Sequence, residues 1–228
     1  MKRRFYLTTA IAYVNAPPHI GHALELIEAD TIARYRRLRG DAVFFATGTD
    51  EHGAKIARRA EELGISPQEL VDQNAKKFCD LKSVFNLSWD SFIRTTDRKK
   101  HWPVVIAVWN ELYKNGDLYR KLYEGLYCVG HEAFVTKKDL DDGGLCVIHR
   151  TMPEHVQEEN WFFRLSKYAS RIEGLLKKNT LQVIPEGRAR ELTSLLKEGV
   201  YDVSFSRPRK DLKWGVPVPG DDTQTMYV

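Results

Sequence analysis

Hydrophobic and polar positions follow two rhythms along the first half of this chain. "RRFYLTTAIAYV" (residues 3–14) is rich in β-branched and aromatic residues, which predicts a buried strand. "HALELIEADTIARYRRLRG" (22–40) changes period. Ala23, Leu26, Ile27 and Ala33 recur at helical spacing and Gly40 ends the run, which predicts a helix of about five turns. "DAVFFATGTD" (41–50) predicts a second strand, and "GAKIARRAEELG" (53–64) a second helix closed by Gly64. Ser66 and Pro67 read as an N-cap and first helical residue, opening a third helix that runs to about Phe85. "DSFIRTTD" (90–97) predicts a third strand, and Asp97 is placed to cap a long helix through "WPVVIAVWNELYKNG". Strands alternating with helices predict an α/β fold with a parallel sheet covered by helices.

The pattern changes after Gly116. "DLYRKLYEGLYCVG" is tyrosine-rich and strand-like, and "TKKDLDDGGLCVIHR" is polar and turn-rich. Residues 117 to about 160 therefore read as an inserted lobe. "ENWFFRLSKYASRIEGLLKKN" (159–179) restarts helical periodicity, and "EGRARELTSLLKEG" (186–199) predicts another helix. Trp161, Phe162 and Phe163 read as packing that anchors the insert to the sheet.

Composition narrows the class. The chain has 228 residues, 43% hydrophobic and 29% charged, as in a water-soluble globular protein of one large domain or two small ones. No run reaches the ~18 apolar residues of a membrane helix. The basic start, "MKRRFYLTTA", turns at once into strand-like sequence, so no signal peptide is read and the cytoplasm is expected. Three cysteines argue against a disulfide framework. The net charge of +4 lies entirely in residues 161–228, which hold 12 basic and 8 acidic side chains. A bias of that size suits an ordinary solvated surface as well as contact with nucleic acid.

The chemistry concentrates where the first strand gives way to the first helix, at "VNAPPHIGHALE". Pro17 and Pro18 stiffen the exit. His19 and His22 share one face of the first helical turn, and Gly21 between them offers no side chain to obstruct a base or phosphate. The helix N-terminus adds partial positive charge and free N–H groups. Together these suit a nucleotide triphosphate, with the imidazoles donating to phosphate oxygens. The plainer reading is a helix start with two surface histidines.

The four letters HIGH are the signature of class I aminoacyl-tRNA synthetases. "FYLTTAIAYVNAPPHIGHA", "TGTDEHG", "FIRTTD", "YEGLYCVGHEAF", "ENWFFRLSKY" and "WGVPVP" occur in the order found in that class, and the series resembles the methionyl-tRNA synthetases of the bacterial type over essentially the whole chain. The resemblance implies the first half of a Rossmann-like catalytic domain (1–116), an inserted connective lobe with a zinc knuckle (117–160), its helical return (161–206) and the start of the second Rossmann half (207–228). It implies ATP with Mg²⁺, methionine and tRNA(Met) as substrates, and formation of methionyl-adenylate followed by transfer to tRNA. It makes His19 and His22 catalytic, His19, Gly21 and His22 ATP-binding, and Ile11, Tyr13 and Asp50 methionine-binding. Asp50 matches the carboxylate that holds the substrate's α-ammonium. A carboxylate at a strand's carboxyl end can do this; the plainer alternative makes Asp50 an N-cap for the following helix. No role is assigned to His52.

Cys128-x-x-His131 and Cys146-x-x-His149 form two pairs with the same gap, separated by a short polar loop with a Gly143-Gly144 turn. Two thiolates and two neutral imidazoles fit a structural tetrahedral Zn²⁺. Members of the resembled family usually carry cysteine where this chain has His131.

No KMSKS-like sequence and no continuation into a "WFDA"-like block occur. The expectation is a partial ligase, or a split enzyme completed by a second chain that supplies the missing half, with little activity of residues 1–228 alone. The alternatives are a non-catalytic module derived from a synthetase and another class I synthetase of leucyl or cysteinyl type.

Overall fold

A computed structural model describes residues 2–131 and 133–226. Strands β1 (Arg4–Thr8) and β2 (Ala12–Tyr13) both pair in parallel with β3, Ala42–Asp50. Strand β4 (Ser91–Arg94) joins β3 in parallel as well. Ala46 lies between Thr8 and Ser91, and Thr49 between Ala12 and Arg94, so β1 and β2 are two stretches of one edge. The single strand expected over 3–14 is therefore interrupted. At the break the N–H of Ala10 donates to the Glu25 carboxylate at 2.9 Å, and the hydroxyls of Thr9 and Thr47 meet at 2.7 Å. These side-chain bonds replace the ladder for one turn of the pleat.

Helix α1 (Ile20–Leu38) turns Leu26, Ala29 and Ala33 onto Phe45, Leu87 and Trp89. Its buried Asp30 accepts the N–H and hydroxyl of Ser88 at 2.6 and 2.5 Å and the Arg34 Nε at 2.5 Å. Burial pushes the Asp30 carboxyl up, but these bonds outweigh it and hold the group below its ordinary range. Helix α2 (Ala54–Glu62) and helix α3 (Pro67–Val84) build a second cluster with Ile56, Ala60, Leu70, Val71 and Phe78 around Val14. Helix α3 starts as expected: Ser66 and Glu69 cap each other's backbone N–H at 3.2 and 2.9 Å. Strands β3 and β4 approach closely at Gly48, where a Cβ would stand 2.1 Å from the Ile93 carbonyl oxygen.

Helix α4 spans Trp102–Lys114, with His101 rather than Asp97 at its N-cap. Asp97 instead accepts the N–H groups of Lys99 and Lys100 at 2.8 and 3.0 Å, capping the turn ahead of the helix. Beyond it, β5 (Leu118–Cys128), β6 (Ala133–Val135), β7 (Glu154–Phe163) and β8 (Val203–Ser204) form an antiparallel sheet in the order β6-β5-β7-β8. Residues 159–163, whose pattern suggests a helix, are the end of β7. They pair with β5 from Leu118↔Phe163 to Leu122↔Glu159, and this long-range pairing overrides the local period. Helical structure begins only with a 3₁₀ turn at Leu165–Tyr168, then α5 (Ala169–Lys177) and α6 (Glu186–Glu198).

Strands β9 (Ser206–Pro208), β10 (Val216–Val218) and β11 (Asp221–Met226) make a third, antiparallel sheet. Trp161 joins it to the insert. The indole N–H donates to Asp221 at 2.9 Å and the ring meets Trp109 of α4 edge-on at 5.9 Å. Trp161 and Phe163 thus pack against α4 and β11 rather than the parallel sheet, while Phe162 lies against Tyr119. Among the described residues no helix is long and apolar enough to cross a membrane.

Candidate active site and metal centre

His19 is the N-cap of α1, in extended backbone at φ −125° and ψ 177°. Its Nδ1 accepts the N–H of Gly21 at 3.1 Å, while the N–H of His19 donates to Nδ1 of His22 at 3.2 Å. This is a reciprocal cap made by two imidazoles. An Nδ1 that accepts carries no proton, so in the neutral ring the proton sits on Nε2. Capping therefore makes both rings Nε2–H donors. The rings lie 3.9 Å apart, and His22 meets Phe78 edge-on at 5.0 Å. Burial, and then the neighbouring His19, lower the pKa of His22 from its ordinary 6.5, so the ring is neutral at pH 7. The helix start of the plainer reading is realised, and the capping found here sets up the donors rather than competing with them.

Tyr13 stands opposite Asp50 in the β2–β3 register, and the N–H of Val14 donates to the Asp50 carbonyl at 3.1 Å. Both side chains are half-buried at the carboxyl ends of parallel strands, the position at which open α/β sheets bind ligands. Ile11 is 42% exposed and lies in the interruption between β1 and β2. His22 faces the same strands across a narrow cleft of about 20 Å³ that Ala10, Ala12, Thr47 and Gly48 also line. Broader cavities lie elsewhere, among them one of about 450 Å³ between α5 and α6 and one of about 570 Å³ between α2 and the insert.

Three residues joined at the end of β3 escaped the sequence reading: Glu51, Arg94 and Trp214. Glu51 is fully buried. Its carboxylate accepts from Thr49 Oγ1 at 2.5 Å, from Arg94 Nε and Nη2 at 2.7 and 2.9 Å, and from the Thr96 hydroxyl. Burial works to lower the pKa of Arg94, but its bonds to Glu51 and Asp72 dominate and hold the guanidinium firmly charged. Trp214 donates its indole N–H to the Glu51 carbonyl at 2.6 Å and sets its ring against His52. The available signal was an acid directly after Asp50 and an arginine in the "FIRTTD" block. Nothing in one sequence pairs them.

The two Cys-x-x-His pairs converge. Cys128, His131, Cys146 and His149 bring one ligand atom each to within 4.8 Å of one another. Nδ1 of His149 lies 3.8 Å from Cys128 Sγ and 3.6 Å from Cys146 Sγ, and Nδ1 of His131 lies 3.5 Å from Cys146 Sγ. A tetrahedral Zn²⁺ with Zn–S of ~2.3 Å and Zn–N of ~2.0–2.1 Å has ligand–ligand edges of about 3.4–3.8 Å. The residues fit the ion, and all four belong to the chain, which leaves no open position for chemistry. Both cysteines are fully buried. Burial raises the Cys128 thiol, but hydrogen bonds from His131, Cys146 and Gly130 outweigh it and bring the group to about 6, favouring thiolate. Gly130 is required here, because a Cβ would stand 2.2 Å from the His149 ring.

A family model described as tRNA synthetases class I (M) matches residues 5–146 and 136–228. The methionine–tRNA ligase of Brucella suis is 43% identical over all of this chain and 44% of its own length. The chloroplastic/mitochondrial methionine–tRNA ligase of Arabidopsis thaliana is 45% identical over 98% of this chain and 36% of its own. The chain thus spans less than half the length of these curated relatives, each of which carries the remainder in the same polypeptide. Among solved structures, Mycobacterium tuberculosis methionyl-tRNA synthetase in complex with methionyl-adenylate superposes with a TM-score of 0.91 at 39% identity, over 99% of this chain and 44% of that one. The free form of that enzyme gives 0.80 at 36% identity.

Proposed function

This chain belongs to the class I tRNA synthetases (M), and we propose that it forms the ATP- and methionine-binding wall of a methionine–tRNA ligase. Residues 1–116 serve as the first half of the nucleotide-binding domain, 117–160 as a connective lobe, 161–206 as its return and 207–228 as the start of the second half. The observation that carries this reading is a reciprocally histidine-capped helix that follows directly on β2, whose Tyr13 stands opposite Asp50 at the carboxyl end of β3.

In the first step a carboxylate oxygen of methionine attacks the α-phosphorus of ATP, supplied with Mg²⁺. The bond to the bridging oxygen breaks and pyrophosphate leaves. Positioning and charge stabilisation dominate such a step. The Nε2–H groups of His19 and His22 and the α1 N-terminus donate to phosphate oxygens that gain charge, and Gly21 lets the nucleotide approach the backbone. Asp50 pairs with the α-ammonium, and Ile11 and Tyr13 line the side-chain pocket. In the second step the terminal ribose hydroxyl of tRNA(Met) attacks the acyl carbon and AMP leaves. The Cys/His knuckle holds Zn²⁺ as a structural ion.

The test is methionine-dependent ATP–pyrophosphate exchange by the full-length protein. Exchange that requires methionine supports the reading. Exchange that prefers leucine or cysteine overturns it.

A further inference from the structure

We propose that Glu51 is a positioning residue that aims Asp50 at the substrate ammonium, a role that rests on the assignment of Asp50 above. Glu51 directly follows Asp50, the last residue of β3, so the direction of Asp50 depends on how its neighbour is held. Glu51 is held at every polar group. Its N–H donates to Thr95 Oγ1 at 2.9 Å and its carbonyl takes the Trp214 indole at 2.6 Å. Its carboxylate takes four donors, two from Arg94 and one each from Thr49 and Thr96.

A carboxylate offers about four acceptor sites, so Glu51 has none left for a ligand. It cannot share the ammonium with Asp50. The donors come from three separate parts of the chain: the end of β3, the end of β4, and the segment before β10. Arg94 continues to Asp72 of α3 at 2.5 Å. The strand end that carries Asp50 is therefore clamped by β4, by α3 through Arg94, and by the segment before β10, one residue from the ligand contact. A neutral glutamine at 51 would turn an NH₂ toward Arg94 or a threonine and release the clamp.

The test compares methionine with its desamino analogue, 4-(methylthio)butanoate, in full-length parent, D50N, E51Q, W214F and D50N/E51Q. The readouts are the KM for methionine and for ATP in pyrophosphate exchange, and the inhibition constant of the analogue. E51Q is expected to raise the methionine KM about tenfold or more, the scale of a weakened charge-assisted bond. The ATP KM and the analogue's inhibition constant should stay where they are, and the double variant should be no worse than D50N. W214F removes one bond to the same peptide and should move methionine in the same direction by less. It carries the test if E51Q does not fold.

General loosening would shift all three constants together, and that result overturns the proposal. So does an E51Q enzyme that keeps its preference for the ammonium group while D50N loses it. If neither D50N nor E51Q affects that preference, the assignment of Asp50 falls and the clamp with it.

Discussion

The N–H of His19 donates to Nδ1 of His22 at 3.2 Å, so the second histidine of the pair caps the residue that carries the first. Protonating His22 at Nδ1 would replace this acceptor with a second donor facing an N–H.

The first prediction is therefore spectroscopic. At pH 8, ¹⁵N NMR of the imidazoles should show both His19 and His22 with the proton on Nε2. Finding it on Nδ1 of either ring would disprove the reciprocal cap. The pH dependence follows from the lowered pKa of His22. Below 6.5 the unfolded chain takes up a proton that the folded ring resists, so stability falls as pH drops from about 6.5 through the lower folded value. Above 6.5 the contribution is fully present. Replacing His22 with asparagine should flatten that part of the profile in urea unfolding.

Nucleotide affinity should depend on the same pair. His22→Ala removes the proposed donor to phosphate and the cap on His19, and should weaken ATP binding by roughly 1–3 kcal/mol. Isothermal calorimetry giving equal affinities for parent and a His19/His22 double variant would remove ATP from this site.

Metal analysis of protein prepared without chelator should find about one zinc per chain. Cys146→Ser takes one fully buried ligand away and should lower that content and loosen residues 117–160. The α1–β3 unit, built on a separate apolar cluster, should remain folded. Zinc-free parent protein would refute the assignment of the four ligands.

Gly130 tests the same centre without touching a ligand. Gly130→Ala places a methyl where the His149 ring lies, at 2.2 Å. Zinc should dissociate faster to a competing chelator than from the parent. An unchanged release rate would mean that His149 does not need its present position.

Gly48 holds β3 against β4, with 2.1 Å between its missing Cβ and the Ile93 carbonyl. Gly48→Ala should destabilise the fold by about 1–3 kcal/mol or more through overpacking. A thermal midpoint equal to the parent's would show that the two strands can separate at no cost.

Local chemistry made much of this protein legible without coordinates. Ser66 and Pro67 announce α3, and Glu69 completes a capping box within four residues. The equal gaps in Cys128-x-x-His131 and Cys146-x-x-His149 announce a four-residue cluster, and the fold brings their ligand atoms within 4.8 Å of one another. His19 and His22 announce the start of α1, whose caps they supply within four residues. What failed was decided by partners far along the chain. Residues 159–163 have a helical rhythm, yet their backbone groups are claimed by residues 118–122. The first strand breaks because Glu25 on α1 takes the N–H of Ala10. Glu51 looks like one more surface acid until β3 brings it to Arg94, 43 residues away, and to Trp214, 163 residues away. Short-range hydrogen bonding is written into neighbouring residue types, so a sequence displays it. Which distant donors meet a buried carboxylate depends on the order and register of strands, and only the packed fold sets those.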